Sequence, residues 1–242
     1  MNTEATLQQL QELKLEGMAK SYQAILKLPI NNQPDAHELL AHLVQQEMES
    51  KQTKRTQMYL RLSKLRYSAV LEQVKCSPER NLRKEQLTML ADCSWIERAE
   101  NILIQGSTGC GKSYLACAIG HQACLMGYKT LYFNMNRFIE KITLAKLDGT
   151  FVKLLNHVER HWLLILDDFG LQPLNADIRL ALLQILEDRY RKKGTIISSQ
   201  IPVNKWHDYI NDPTMADAIL DRLIAHAHII DLKGKSLRGK NF

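Results

Sequence analysis

Long apolar runs are missing from this chain. No uninterrupted hydrophobic stretch approaches the roughly 18 residues of a membrane span, so none is expected. Cysteine is scarce and arranged for neither bridges nor metal. The five cysteines, Cys76, Cys93, Cys110, Cys117 and Cys124, contain no CxxC pair, and their odd number argues against a disulfide framework or zinc site. Cys117 and Cys124 lie seven apart on a predicted helix, as small buried hydrophobes do. His226 and His228 alternate along an expected strand without a Cys or Asp cluster beside them. The opening MNTEATLQQLQELKLEG is polar and carries acids, unlike a signal or transit peptide, so a cytoplasmic location is expected.

What is present is an ordinary globular composition, 45% hydrophobic and 24% charged over 242 residues. That length suits one sizeable core, or a medium domain plus a small one. The net charge of +6 says little alone, but one region lacks acids altogether. Residues 50–71 carry Lys51, Lys54, Arg55, Arg61, Lys64 and Arg66, with Tyr59 and Tyr67 between them. Helical spacing puts Met58, Leu62, Leu65 and Ala69 on one stripe with the basic residues flanking it. Two readings stand: a buried stripe edged by solvated cations, or a helix presenting those cations to phosphates.

That region belongs to an all-helical first third. Residues 4–28 repeat apolar groups at steps of three and four and predict one amphipathic helix, broken by Pro29 and NNQP. Asp35 is a fair N-cap for a second helix that no Gly or Pro interrupts before about Val74. The expected organisation is a helical domain over 1–75, a linker over 76–99 and an α/β domain over 100–242. In the last, NILIQ, KTLYF, HWLLILDD, TIISS and HIIDL are short apolar strands separated by helical segments. Such alternation predicts a parallel five-stranded sheet with helices on both faces.

The first strand runs into GSTGCGKS, residues 106–113, which fits the phosphate-binding pattern G-x-x-x-x-G-K-[ST] between a strand and a helix. Gly106, Gly109 and Gly111 permit positive φ and close backbone approach. The N–H groups of Ser107, Thr108, Cys110 and their neighbours through Tyr114 can then face phosphates at a helix N-terminus. Lys112 is expected to reach the β- and γ-phosphates of ATP, and Ser113 to ligate Mg²⁺. LLILDD supplies the acids such a loop needs: Asp167 as the Mg²⁺ partner through water, Asp168 as base or orienter of the attacking water. TIISSQ ends the next strand with polar groups, of which Ser199 and Gln200 are the candidates to touch the γ-phosphate or the water. Arg222 in ILDRL precedes the last strand and, taken alone, reads equally as a surface residue paired with Asp217 or Asp221.

The order P-loop, LLILDDFG, SSQ, ADAILDRL and a short basic tail resembles the AAA+ ATPases of the DnaA/DnaC clade. LKLEGMAKSY, WIERAENILIQGSTGCGKSYLACAIGHQAC and SSQIPVNKWHDYINDPTMADAILDRL resemble segments of the IstB family, ATP-binding helpers of insertion-sequence transposases. The resemblance implies an AAA+ core preceded by a small all-α domain, acting as an ATPase. It implies that Arg222 is an arginine finger on a neighbouring subunit's nucleotide, so the active form is a homo-oligomer. It implies that 136–158, with Arg137, Lys141, Lys146 and Lys153, faces DNA, and that duplex DNA and an IstA-like transposase are the partners. Ten residues follow HIIDL, too few for the helical lid of many AAA+ proteins, with Arg238 as a substitute sensor. Asp168 stands where AAA+ proteins usually carry Glu. A DnaC-type helicase loader shares these motifs and is the alternative. A small P-loop kinase would need an acceptor pocket and a lid with arginines, neither of which is visible. A non-hydrolysing adaptor remains if Asp168 is inert.

Overall fold

The computed structural model describes residues 3–237. The chain divides after Met58 into two compact units. The first is helical. α1 (Thr3–Glu12) and α2 (Glu16–Ile25) replace the single helix expected over 4–28. Lys14 turns left-handed, with φ of 59°, and Leu15 N–H closes back on Leu10 O. α3 (Ala36–Ser63) starts as expected, with Asp35 Oδ1 accepting the N–H of His37 and Glu38. A Cβ on Gly17 would stand 2.4 Å from Gln46 O, so α2 and α3 touch backbone to backbone there. The buried Glu47 carboxylate accepts the N–H groups of Gly17 and Met18 at 2.7 and 3.1 Å. It thereby satisfies donors that the first turn of α2 leaves unpaired.

α3 does not continue to Val74 but ends at Ser63, where Lys64 adopts φ of 58°. The expected stripe is therefore not one helix face. Met58 and Leu62 are exposed, whereas Ala69 is buried beyond the helix end. Ala69, Leu71 and Val74 belong to the second unit's core, and that burial prevails over helix propensity.

Residues 76–99, expected as a linker, are also structured. α4 (Lys84–Ala91) and α5 (Ser94–Glu97) bring Leu82, Leu90, Trp95 and Ile96 into the same core, each fully or almost fully buried. The sheet follows the apolar runs: β1 (Asn101–Gly106), β2 (Thr130–Asn134), β3 (Leu163–Phe169), β4 (Gly194–Ser199) and β5 (Ala227–Leu232). All neighbours are parallel, in the order β2-β3-β4-β1-β5. Side chains alternate across it: Ile102, Ile104, Leu163, Ile165 and Ile196 enter one core, Leu103, Leu164, Leu166 and Ile197 the other. α6 (Lys112–Leu125) covers the first face. α7 (Met135–Leu147), α8 (Phe151–Glu159), α9 (Ala176–Arg189), α10 (Trp206–Ile210) and α11 (Pro213–Ile224) cover the second. The helices after β1 and β4, adjacent strands, thus lie on opposite faces. This opens a crevice at the carboxyl ends of these strands, the place where open α/β sheets bind ligands.

Candidate nucleotide-binding site

β1 delivers the glycine-rich loop to that crevice. Gly106, Gly109 and Gly111 have φ of 148°, 82° and 95°, which side-chain-bearing residues rarely adopt. Gly106 also lacks room for a Cβ, which would stand 2.2 Å from Leu232 O. Lys112 opens α6, and its ammonium donates to the carbonyls of Gly106 and Ser107 at 2.8 and 2.9 Å. Its positive head therefore folds over the cradle itself. Arg80 braces the loop from outside, donating to Cys110 O at 2.8 Å, and Leu237 N–H reaches Gly109 O at 2.9 Å. Cys110 is buried, so its side chain faces no ligand.

β3 brings the acids. Asp167 is fully buried and accepts from three hydroxyls: Ser113 Oγ at 2.9 Å, Tyr132 OH at 2.7 Å, and Ser198 Oγ. Burial and the Asp167 charge push the Tyr132 phenol far up, so it remains a donor. Asp168 has φ of 61°, at a register shift between β3 and β4. Asp tolerates this region, and the irregularity turns its carboxylate away from strand alternation. Its Oδ2 accepts from Asn134 Nδ2 at 2.8 Å and faces Arg66 Nη1 at 3.4 Å. Burial first, and then the neighbouring Asp167, raises the Asp168 pKa above the ordinary carboxylate value. Asn134 also caps α7 by accepting Asn136 N–H at 3.1 Å, so one side chain joins that helix to Asp168.

The loop and Asp168 share a cavity of about 430 Å³. Lys112, Ser113, Asp168 and Gln200 line it together with Arg80, Tyr67, Val74, Tyr114 and Leu237. The sequence candidates on β4 separate here. Ser199 is buried in a turn, donating to Phe169 O and accepting Ile201 N–H. Gln200 accepts from Thr108 Oγ1 of the loop at 2.7 Å. Ser198, not singled out from sequence, is the residue on Asp167.

Arg222 stands elsewhere. Its own carbonyl accepts from Asn101, the first residue of β1, whereas the glycine loop follows the last. At about 3.3 Å per strand residue, that separates Arg222 from the loop of its own chain by roughly 15–20 Å. Its guanidinium is paired with Glu187 at 2.6 Å and Asp221 at 3.7 Å. Among the basic candidates, Arg55, Arg61, Lys64, Arg137, Lys141 and Lys153 are exposed, Arg137 with Glu140 at 3.6 Å. Lys51, Lys54 and Lys146 are paired with Glu47, Glu16 and Asp177. Arg66 is turned toward the acid pair rather than grouped with the basic stretch. Arg238 lies outside the described residues. Among those described, no helix is long and apolar enough to cross a membrane.

A parallel sheet with a glycine loop opening α6 and an acid pair ending β3 defines a P-loop ATPase of the AAA+ type. The particular family follows from sequence. The profile of the family described as IstB-like ATP binding protein matches residues 8–242, and the chain belongs to that family. It is 44% identical over 236 residues to a putative insertion sequence ATP-binding protein of Sinorhizobium fredii, covering 96% of this chain and 95% of the relative. It is 37% identical to the insertion sequence IS1162 putative ATP-binding protein of Pseudomonas fluorescens, covering 84% and 88% of the two chains. The crystal structure of the DnaC helicase loader shares the fold at 18% identity and TM-score 0.56, over 69% of this chain and 98% of that one.

Proposed function

We propose that this chain is the ATP-dependent, DNA-binding helper of a transposase. In this reading ATP drives its assembly on duplex DNA and remodelling of that DNA, and hydrolysis drives release. The observation that carries it is the split of the catalytic parts between two edges of one sheet. The loop and acid pair lie at one edge and Arg222 at the other. Arg222 of a subunit then does not reach that subunit's own nucleotide, and a neighbour's Arg222 completes the site. Family membership and insertion-sequence relatives support the transposition context.

Within the site, backbone N–H groups of residues 107–113 receive phosphates, and Lys112 exchanges its two carbonyl partners for phosphate oxygens. The Ser113 hydroxyl and Asp167 carboxylate, 2.9 Å apart, form an oxygen donor pair suited to Mg²⁺. The ion, when bound, would neutralise charge on the β- and γ-phosphates. Asp168 orients the attacking water, held in place by Asn134. Gln200, already on the loop, reads the γ-phosphate side. Arg137, Lys141 and Lys153 on α7 and α8, with Arg55, Arg61 and Lys64 on and just after α3, are the exposed cations for DNA phosphates. Arg238 is retained as a sensor candidate on resemblance alone.

The DnaC-type loader is the second reading, favoured by the shared fold. It predicts a helicase as partner and indifference to duplex DNA. Mixing variants tests the shared site. Arg222→Ala and Asp168→Asn subunits should each be inactive, yet regain hydrolysis together at the interface where both functional groups meet. Co-assembly without recovered activity would sink the finger in trans.

A further inference from the structure

Two arginines of the second unit serve opposite purposes. Arg189 is fully buried and donates to the carbonyls of Val158, His161, Trp162 and Gly194 and to Thr195 Oγ1. It is a structural staple. Arg66 has no cage of carbonyls; its guanidinium lies 5.2 Å over the Tyr67 ring and beside the Tyr132 hydroxyl. Its side chain is 42% exposed, and it faces Asp168 at 3.4 Å and Asp167 at 3.9 Å. Charge-assisted bonds close to about 2.7–2.9 Å, so this contact is loose and open to exchange. The backbone of Arg66 and Tyr67 passes beside the Cys117 thiol on α6. Tyr67, Ser68, Gln73 and Val74, which follow Arg66, line the nucleotide cavity.

We propose that Arg66 is a cation supplied in cis to the terminal phosphate of ATP. It rests on the Asp167–Asp168 pair without nucleotide and moves to a γ-phosphate oxygen when ATP is bound. Charge balance motivates the exchange. A triphosphate entering the cavity sets several negative charges beside two carboxylates. Arg66 and Lys112 are cations whose charge acts on Asp168, and Lys75 and Arg80 also line the cavity. Lys112 belongs to the loop and meets the phosphates there. Arg66 comes from the other side of Asp168: the two line a second cavity of about 660 Å³ with Tyr132, Asn134 and Arg137, which leaves its head room to turn. Its planar fork suits phosphate oxygens better than a point charge would. This role rests on the site assignment made above. It also takes Arg66 out of the set of DNA-facing cations.

The test compares ADP with the non-hydrolysable analogue AMPPNP, both with Mg²⁺, by equilibrium binding to the full chain. The set is wild type, Arg66→Ala, Arg66→Lys, Arg66→Gln and Lys112→Ala. Arg66→Ala and Arg66→Gln are expected to weaken AMPPNP roughly 10- to 100-fold, the range of one charge-assisted hydrogen bond, while ADP affinity stays within about twofold. Retained ADP binding is also the folding control, and the Gln variant covers an Ala variant that fails to fold. Arg66→Lys should recover part of the AMPPNP affinity. The turnover number should fall about 10²-fold in Arg66→Ala, as for removal of one charge stabiliser. Equal weakening of both nucleotides would make Arg66 a general support of the pocket and overturn the proposal. So would unchanged or tighter AMPPNP binding with faster turnover, which would make it a brake. Lys112→Ala binding both nucleotides normally would instead overturn the site assignment beneath it.

Discussion

The two edges of the sheet are built to different ends. At the amino edge Asn101 and Arg189 are closed off by hydrogen bonds. Asn101 donates to Arg222 O and Leu223 O and accepts Thr195 N–H, and Arg189 fills its donors with carbonyls and one hydroxyl. At the carboxyl edge the partners are exchangeable. Lys112 sits on two loop carbonyls, Arg66 rests loosely on the acids, and Asp168 departs from strand geometry. Closed hydrogen bonding gives rigidity, and replaceable bonding gives a ligand somewhere to bind. Arg222, on the rigid edge, is placed as a fixed feature another subunit could use.

Four substitutions sharpen the contrast. The largest effect belongs to the carboxyl edge. Asp167→Asn should cut steady-state ATP hydrolysis by about 10³-fold, of the order of losing a principal charge stabiliser, with thermal unfolding nearly unchanged. A large drop in melting temperature would mean that its three hydroxyl bonds serve the fold instead. Next comes Arg189→Ala at the amino edge, which strands several buried carbonyls. Denaturant unfolding should register a loss of about 3–5 kcal/mol, and a loss under 1 kcal/mol would break the claim that this edge is the rigid one. Asn101→Ala removes bonds to one helix end and one strand, and about 1–3 kcal/mol should go in the same assay. Among the amino-edge residues, the smallest change in stability is expected for Arg222→Ala. Its pair with Glu187 is partly exposed, so no more than about 1 kcal/mol is at stake, and nucleotide affinity of the isolated subunit should hold. Weakened ATP binding in that lone subunit would place the residue nearer its own site than the topology does.

How much of this was legible beforehand depends on where the information resides. Each strand is an apolar run in sequence, so all five and their parallel arrangement could be read. The glycine loop and Asp167–Asp168 are contiguous, and they too were visible. Tyr132, Asn134 and Ser198 were missed because strand order brings them in: β2 and β4 flank β3, and no local pattern states that. Arg66 was grouped with the basic stretch because residues 35–75 carry no glycine or proline to mark the helix end. The chain turns instead at Lys64, as it does at Lys14, with left-handed lysines that give no punctuation. The segment 76–99 looked like a linker because its α5 is a single turn, yet Trp95 and Ile96 fill the core.

The central claim is that nucleotide state becomes assembly state on duplex DNA. Sedimentation of the purified chain tests it directly, with and without ATP, with and without random-sequence duplex, at two salt concentrations. The account predicts a large species that needs both ATP and duplex and weakens as salt rises. A small species indifferent to duplex, at either salt concentration, would contradict it and point to a protein partner of the helicase class.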